Sequence, residues 1–425
     1  MKVLWLCNQA IPVIARYLNK DAGNKEGWLA ASSEKILSED DREFSLGVCF
    51  PVESEADARF QADLEVKAYG FYEDRVNFEN YDAKLEDRFR EVLKDFKPDV
   101  IHIFGTEYSH TLAMCRACEN PEKLLIGIQG LCSVYAEHYF DGIPEEVKKS
   151  GTLRDALKKD DLIRQQEKFV LRGEHEKEAI RIAGNVTGRT DWDKFYTADF
   201  HPGVRYFFMN ETLRSTFYDG EWKFENCEPY SIFISQGDYP IKGLHVFLPV
   251  LGKLAKKYPG VKCYVAGTIV TGTQSLKKKI LISGYGRYLN QLIRENGLED
   301  KIVFLGSLNA SEMKDRFLKS NLYLSPSMME NSPNSLGEAM LLSMPVVASD
   351  VGGVKGLLSD EEEGYIYPPL DADACMERIE KVFSENGTEK QMQMGKLASA
   401  HARITHDADA NYKRLKEIYS EIASI

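Results

Sequence analysis

The sequence predicts an α/β protein made of two doubly wound parallel sheets. Three observations carry this reading. Short apolar runs alternate with helical patterns in both halves of the chain. A polar, irregular stretch from Asp219 to Pro229 separates the halves. The stretch Met329–Asp350, reading MENSPNSLGEAMLLSMPVVASD, is a strand–loop–helix–strand unit. Such a unit puts helix N-terminal amides at the carboxyl edge of a parallel sheet, where α/β proteins bind ligands.

Val3–Asn8 reads as the first strand, followed by a loop with Gly23 and Gly27 and a helix from Trp28 to Leu37. Strands follow at Glu43–Phe50 and Leu64–Phe71. Lys84–Phe96 is an amphipathic helix stopped by Lys97-Pro98. Asp99–Gly105 is a buried strand, Tyr108–Glu119 a helix and Lys123–Gln129 a strand. Ile143–Ala183 is long and charged, with the pattern of a solvated helical pair; Lys148, Lys149, Lys158 and Lys159 keep a membrane-facing surface open as an alternative. Asn185–Asp191 and Val204–Met209 bring two more strands. The second series has strands at Tyr230–Ser235, Lys262–Gly267, Lys301–Gly306, Leu322–Ser325 and Pro345–Ser349. Its helices lie at Gly243–Lys257, Tyr288–Asn296 and Ser311–Ser320. His406–Ile425 carries a helical stripe of Tyr412, Leu415, Ile418, Tyr419 and Ile422. The predicted domains are 1–222 and 223–405, with 406–425 returning to the first; two such domains facing each other would leave a deep cleft, a preferred ligand site.

Composition narrows the function classes. At 425 residues the chain has room for two or three domains of about 150 residues each. With 43% hydrophobic residues it is ordinary for a globular protein. No apolar run approaches the ~20 residues of a membrane span, and the run after Lys2 is too short for a signal peptide. A net charge of −12 argues against a general nucleic-acid binder, which needs clustered cations. The eight cysteines sit in separate elements, as buried thiols do in a reducing cytoplasm. Cys115 and Cys118 form a single CxxC inside a helical pattern, and no second pair accompanies them.

Glu330 and Glu338 flank the loop and helix start of the central unit with seven residues between them. The helix amides there favour an anion such as phosphate. Carboxylates beside an anion site need neutral donors, and sugar or ribose hydroxyls are such donors. A structural reading competes: Ser335-Leu-Gly-Glu338 fits a capping box, and Ser332-Pro333 fits an N-cap with proline in first position.

Taken together, these parts resemble the family 4 glycosyltransferases, which have the GT-B fold of two Rossmann-like domains, retain anomeric configuration and use nucleotide-sugar donors. Glu330-Asn-Ser-Pro-Asn-Ser-Leu-Gly-Glu338 is similar to the family's Glu-x7-Glu motif. Pro345–Gly353, Gly364, Lys242-Gly243 and Val303-Phe-Leu-Gly306 match its other signatures. The resemblance implies roles for these positions. Glu338 would hold the ribose hydroxyls, and Glu330 the hydroxyls of the transferred sugar near its anomeric carbon. The backbone around Ser332, Pro333 and Asn334 would meet the sugar, and the amides of Ser335 and Leu336 the diphosphate. Lys242 would neutralise the leaving diphosphate. Gly306 to Leu308 would line the base, and Gly27 would let the first loop approach the phosphates.

The chain departs from that pattern at three places, one of them Glu26-Gly27 in the first loop, where relatives have paired glycines. Relatives carry an arginine five residues before the lysine, where this chain has Gly237. Arg189 is the candidate substitute cation; next to Asp191 it reads equally as half of a structural ion pair. Gln129-Gly130 stands where relatives have histidine-glycine, so Gln129 can only donate or accept hydrogen bonds. Gln129 and His138 are the acceptor-side candidates. His110 also lies near the predicted cleft edge, and His102 reads as a core residue. No DxD motif is well placed, so no metal or other cofactor is expected. The expected function is transfer of a sugar, with UDP the commoner nucleotide in the family, to a glycan or lipid-linked acceptor. The expected location is cytoplasmic, with peripheral contact at the inner membrane face left open. Two alternatives share the frame: a nucleotide-sugar epimerase, and a catalytically silent partner of an active transferase.

Overall fold

The computed structural model describes residues 1–20, 27–39, 43–272 and 281–425. Two sheets organise it. The strands of the first are β1 (Lys2–Leu6), β2 (Ser45–Val52), β3 (Gln61–Asp63), β4 (Lys67–Tyr72), β5 (Val100–Phe104), β6 (Leu124–Gly127), β7 (Asn185–Gly188) and β8 (Arg205–Phe208). Their spatial order is β3-β4-β2-β1-β5-β6-β7-β8. Every pairing is parallel except β3 with β4. The second sheet has β9 (Glu228–Ile234), β10 (Lys262–Ala266), β11 (Ile302–Gly306), β12 (Ser320–Ser325), β13 (Val346–Ser349) and β14 (Tyr365–Tyr367). It runs β11-β10-β9-β12-β13-β14, parallel throughout. Helices cover both faces of a parallel sheet, so its strands read as continuous apolar runs. Accordingly every residue of β5 and β12 is buried.

The chain gathers into two compact units. One contains Met1–Ala136, Lys168–Thr212 and His406–Ile425; the other contains Glu137–Glu167 and Leu213–Thr405. The sequence-drawn boundary at residue 222 therefore needs correction in two places. Residues 213–222 already belong to the second unit, because Leu213, Phe217 and Trp222 are buried in its core. The Trp222 indole also donates to the Ser320 carbonyl at 2.7 Å. Residues 137–167 join it because their polar groups are satisfied there. Asp155 accepts from the Gly284 amide at 2.8 Å, Thr152 Oγ1 donates to the Ile282 carbonyl at 2.7 Å, and His245 Nε2 lies 2.8 Å from the Asp141 carbonyl. The predicted helical pair over 143–183 is instead two short helices, Glu145–Lys148 and Leu153–Lys158, and one long helix, Leu162–Ile182. A capping box at Thr152 and Asp155 starts the second short helix.

The helix Ala408–Ala423 packs in the core of the first unit, burying Tyr412, Leu415, Ile418, Tyr419 and Ile422. Spacings of three and four residues put these on one face. The Tyr419 hydroxyl accepts from Trp5 Nε1 at 2.8 Å and lies 2.7 Å from His102 Nδ1. Burial drives the His102 imidazole down to about 3, so it is neutral. No helix among the described residues is long and apolar enough to cross a membrane.

Candidate functional site

The winding of the second sheet reverses between β9 and β12, and the loops at the carboxyl ends of these strands flank that point. The loop after β9 ends at Lys242; the loop after β12 carries Glu330 and leads into the helix Asn334–Leu341. Several backbone contacts fix them. The Met328 amide donates to the Ile241 carbonyl at 2.7 Å, and the Gly353 amide to the Glu330 carbonyl at 3.1 Å. Ser349 Oγ donates to the Ser327 carbonyl at 2.6 Å. Gly243 has φ +69°, and a Cβ there would collide with the Pro326 carbonyl. Gly352 has φ +53° and abuts the Glu330 carbonyl in the same way. Only glycine combines that conformation with so close a backbone approach.

Lys242 and Glu330, 88 residues apart, meet here: Nζ donates to Oε1 at 2.5 Å. Ser327 Oγ donates to the same oxygen at 2.8 Å. The ammonium lies 5.8 Å from the centre of the Tyr239 ring, within cation–π range. Ser335 Oγ lies 2.7 Å from the Tyr323 hydroxyl and 3.1 Å from Ser235 Oγ, which is itself 3.0 Å from that hydroxyl. The helix begins after Pro333, with no side-chain cap. Leu336 N–H donates to the Pro333 carbonyl at 2.9 Å. The positive end of this helix dipole therefore stands beside Lys242 and Glu330.

The capping box expected at Ser335 and Glu338 is absent. The Ser335 hydroxyl is taken by Tyr323 and Ser235, and the Glu338 carboxylate by Arg214. Arg214 Nε donates to Glu338 Oε1 and Nη2 to Oε2, each at 2.6 Å. Glu338 is 3% exposed, and its carboxyl is raised by burial against the opposing pull of Arg214. The expected N-cap at Ser332 with Pro333 in first position is likewise shifted: Pro333 is itself the cap residue. Sequence reasoning missed Arg214, which lies 124 residues from its partner. The only signal was an arginine between two apolar residues, Leu213 and Phe217, close to the expected boundary.

The remaining candidates are divided between the two units. Gly306 ends β11 with φ +81°, and Leu308 packs partly buried against the second unit's core. Ser332 is buried, while Pro333, Asn334 and Ser335 are half-buried at the helix start and Leu336 is buried. Gly27 is the first residue of the helix Gly27–Ser38; Gly23 lies outside the described residues. Arg189 is buried and pairs with Glu211 rather than with Asp191, since β8 leads the chain back to bring Glu211 against it. Gln129 Nε2 donates to the other Glu211 oxygen at 2.5 Å. His138 Nδ1 lies 2.7 Å from Asp141 Oδ2. His138 clusters with the second unit, whereas the sequence put it in the first. Cys115 is buried, which raises its thiol, and Cys118 is half-buried. Among the described residues no three His, Cys, Asp or Glu side chains gather as metal ligands would.

Residues 216–401 match the family model described as glycosyl transferases group 1. An uncharacterized glycosyltransferase of Methanocaldococcus jannaschii is 31% identical over 112 residues, which cover 26% of this chain and 29% of that protein. The aligned stretches span less than half the length of the curated relatives the chain matches, at 29%, 45% and 38% for three of them. Several solved structures align along nearly the whole chain. Sucrose-phosphate synthase of Thermosynechococcus elongatus has a TM-score of 0.70 at 13% identity, covering 100% of this chain and 99% of that one. HepE of Anabaena, solved in complex with UDP-glucose, has a TM-score of 0.64 at 17% identity, covering 99% and 100%. The fold is GT-B.

Proposed function

We propose that this chain, whose residues 216–401 match the model of the group 1 glycosyl transferases, transfers a sugar from a nucleoside diphosphate to an acceptor hydroxyl with retention of anomeric configuration. The carrying observation is the 2.5 Å Lys242–Glu330 pair beside the N-terminus of the helix Asn334–Leu341 at the switch point of a parallel sheet. Glycosyl transfer places growing negative charge on the departing diphosphate. An ammonium and a helix N-terminus are groups that stabilise it there. Pairing with Glu330 holds the Lys242 ammonium in position, and a diphosphate offers it a second anionic partner.

In this reading Glu330 accepts hydrogen bonds from hydroxyls of the transferred sugar; the two side-chain bonds it already accepts both fall on Oε1. The acceptor oxygen forms its bond to the anomeric carbon on the face from which the phosphate oxygen departs. The acceptor's proton passes to that phosphate oxygen, so no protein nucleophile is needed. Glu338 receives the ribose hydroxyls, and Gly306 to Leu308 line the base. Gly27, Gln129 and His138 remain candidates, Gln129 and His138 on the acceptor side. UDP as the nucleotide is supported by the UDP-glucose complex of the Anabaena neighbour. A glycan or lipid-linked saccharide is the acceptor class.

The test incubates the purified protein with UDP-, GDP- and ADP-sugars, with and without acceptor extracts, and follows nucleotide release and sugar product. Transfer that disappears in Glu330→Ala supports the proposal. Epimerised sugar would identify an epimerase, and binding without turnover across the panel would identify a silent partner.

A further inference from the structure

Glu338 is a buried carboxylate whose two oxygens each accept one bond from the same guanidinium, at 2.6 Å. A carboxylate offers about four lone-pair sites, two on each oxygen. Arg214 takes one on each and leaves one on each. A vicinal diol presents two hydroxyl donors and needs that number.

Arg214 is itself held. Leu213 before it and Phe217 after it are 1% and 0% exposed in the second unit's core. Its guanidinium carbon lies 4.7 Å from the centre of the Phe217 ring. The Leu213 amide donates to the Tyr218 hydroxyl at 3.1 Å, which tightens the same turn. Ser335 and Glu338 are three residues apart, so they share a face of their helix, and Ser335 already reaches Tyr323 beside the switch point. A fork-to-fork pair fixes the plane of the carboxylate as well as its charge, which a lysine point charge could not do.

We propose that Arg214 is a positioning residue for the nucleotide: it occupies one acceptor site on each oxygen of Glu338 and presents the remaining two to a pair of vicinal hydroxyls. This rests on the reading of Glu338 as the ribose-binding carboxylate. Arg214 is the charged group bonded to Glu338; burial and Arg214 act on its protonation in opposite directions. Without the guanidinium, burial would push the carboxyl further up and favour its protonated form, in which one hydroxyl hydrogen occupies a site that an incoming diol needs.

The experiment measures binding of UDP, GDP and their 2′-deoxy counterparts between about pH 6 and pH 8.5, with thermal unfolding recorded alongside. The proteins are wild type, Arg214→Gln, Arg214→Lys and Glu338→Gln. Wild type is expected to prefer the ribonucleotide by roughly tenfold or more, with a ratio flat across the pH range. In Arg214→Gln the ratio falls towards one at the acid end and recovers as pH rises. Arg214→Lys restores charge without the fork and gives an intermediate ratio. An Arg214→Gln protein that keeps the wild-type ratio at every pH, with only a lower Tm, overturns the proposal. Should that variant not fold, an unchanged ratio in Arg214→Lys overturns it instead. Loss of the ratio in Glu338→Gln but in neither Arg214 variant overturns the role of Arg214 alone. A ratio that survives Glu338→Gln, or a wild type that binds no nucleotide, overturns the ribose reading and the proposal with it.

Discussion

The switch point of the second sheet, between β9 and β12, gathers an ammonium and a helix N-terminus. At that of the first sheet, between β1 and β5, the helix following β5 instead meets a carboxylate. Ser109 Oγ donates to Glu73 Oε1 at 2.9 Å, and His110 Nδ1 lies 3.0 Å from Glu73 Oε2. Burial alone would raise the Glu73 carboxyl, but His110 and Ser109 outweigh it and hold it below the ordinary value. Close by, Thr106 Oγ1 donates to the buried Glu176 at 2.5 Å. The two sheets wind alike, β3 and β8 aside, yet the groups at their switch points differ. One holds a cation–carboxylate pair beside an uncapped helix start, whereas the other has a carboxylate already bonded to its helix start and, among the described residues, no cation but a histidine against it. Topology supplies the location of a site, and the residues at the strand ends supply its chemistry.

Substitutions can break this contrast at different depths. The largest effect is expected at the cation. Lys242→Ala should lower kcat by about 10²–10³-fold, the range seen when one preorganised donor to a developing oxyanion is lost. Steady-state kinetics with the active donor checks it; a change confined to KM would remove Lys242 from the transition state. Next comes the backbone that seats it. Gly243→Ala combines left-handed strain with a collision against the Pro326 carbonyl, and about 3 kcal/mol of stability should be lost, read from the denaturant midpoint.

The corresponding anchor of the first unit is a hydroxyl. Tyr419→Phe leaves Trp5 Nε1 without its acceptor and His102 Nδ1 without its partner, costing about 2 kcal/mol. An unchanged midpoint would mean that water replaces the hydroxyl.

The smallest effect is shared by both units. Burial lowers His102 to about 3 and His245 to about 4, from 6.5. The unfolded chain therefore takes up protons first as pH falls. The stability that each neutral imidazole carries is complete above about pH 6.5 and declines as pH drops towards the folded values. Near pH 5.5 the loss should be about 1.4 kcal/mol per histidine. His245→Phe should flatten the acid limb by that amount, a change visible in Tm measured against pH.

Much of this was legible in the sequence because it is local. Strand and helix alternation follows from short-range periodicity, and Glu330, Glu338 and Lys242 stand in recognisable contexts. What escaped was long-range. A charged helical stretch such as 137–167 has no sequence feature that says which sheet it will lie beside. The Ser335 hydroxyl could cap a helix or reach across to another strand, and only the fold brings Tyr323 and Ser235 within its range. Arg214 escaped for the same reason. Arg189 has Asp191 two residues along the chain, but its partner in space is Glu211.

The three-part composition of the first unit has a consequence for how the chain is made. Its core needs Tyr419 against Trp5, residues separated by 414 positions. Ribosomes add about 5–20 residues per second from the N-terminus, so the opening strands wait many seconds for their last helix to emerge. The second unit, complete at Thr405, has all its residues sooner. During synthesis the order of completion is thus the reverse of the order in sequence, and the half-built first sheet, with its apolar face open, is the stage at which a chaperone would be of most use.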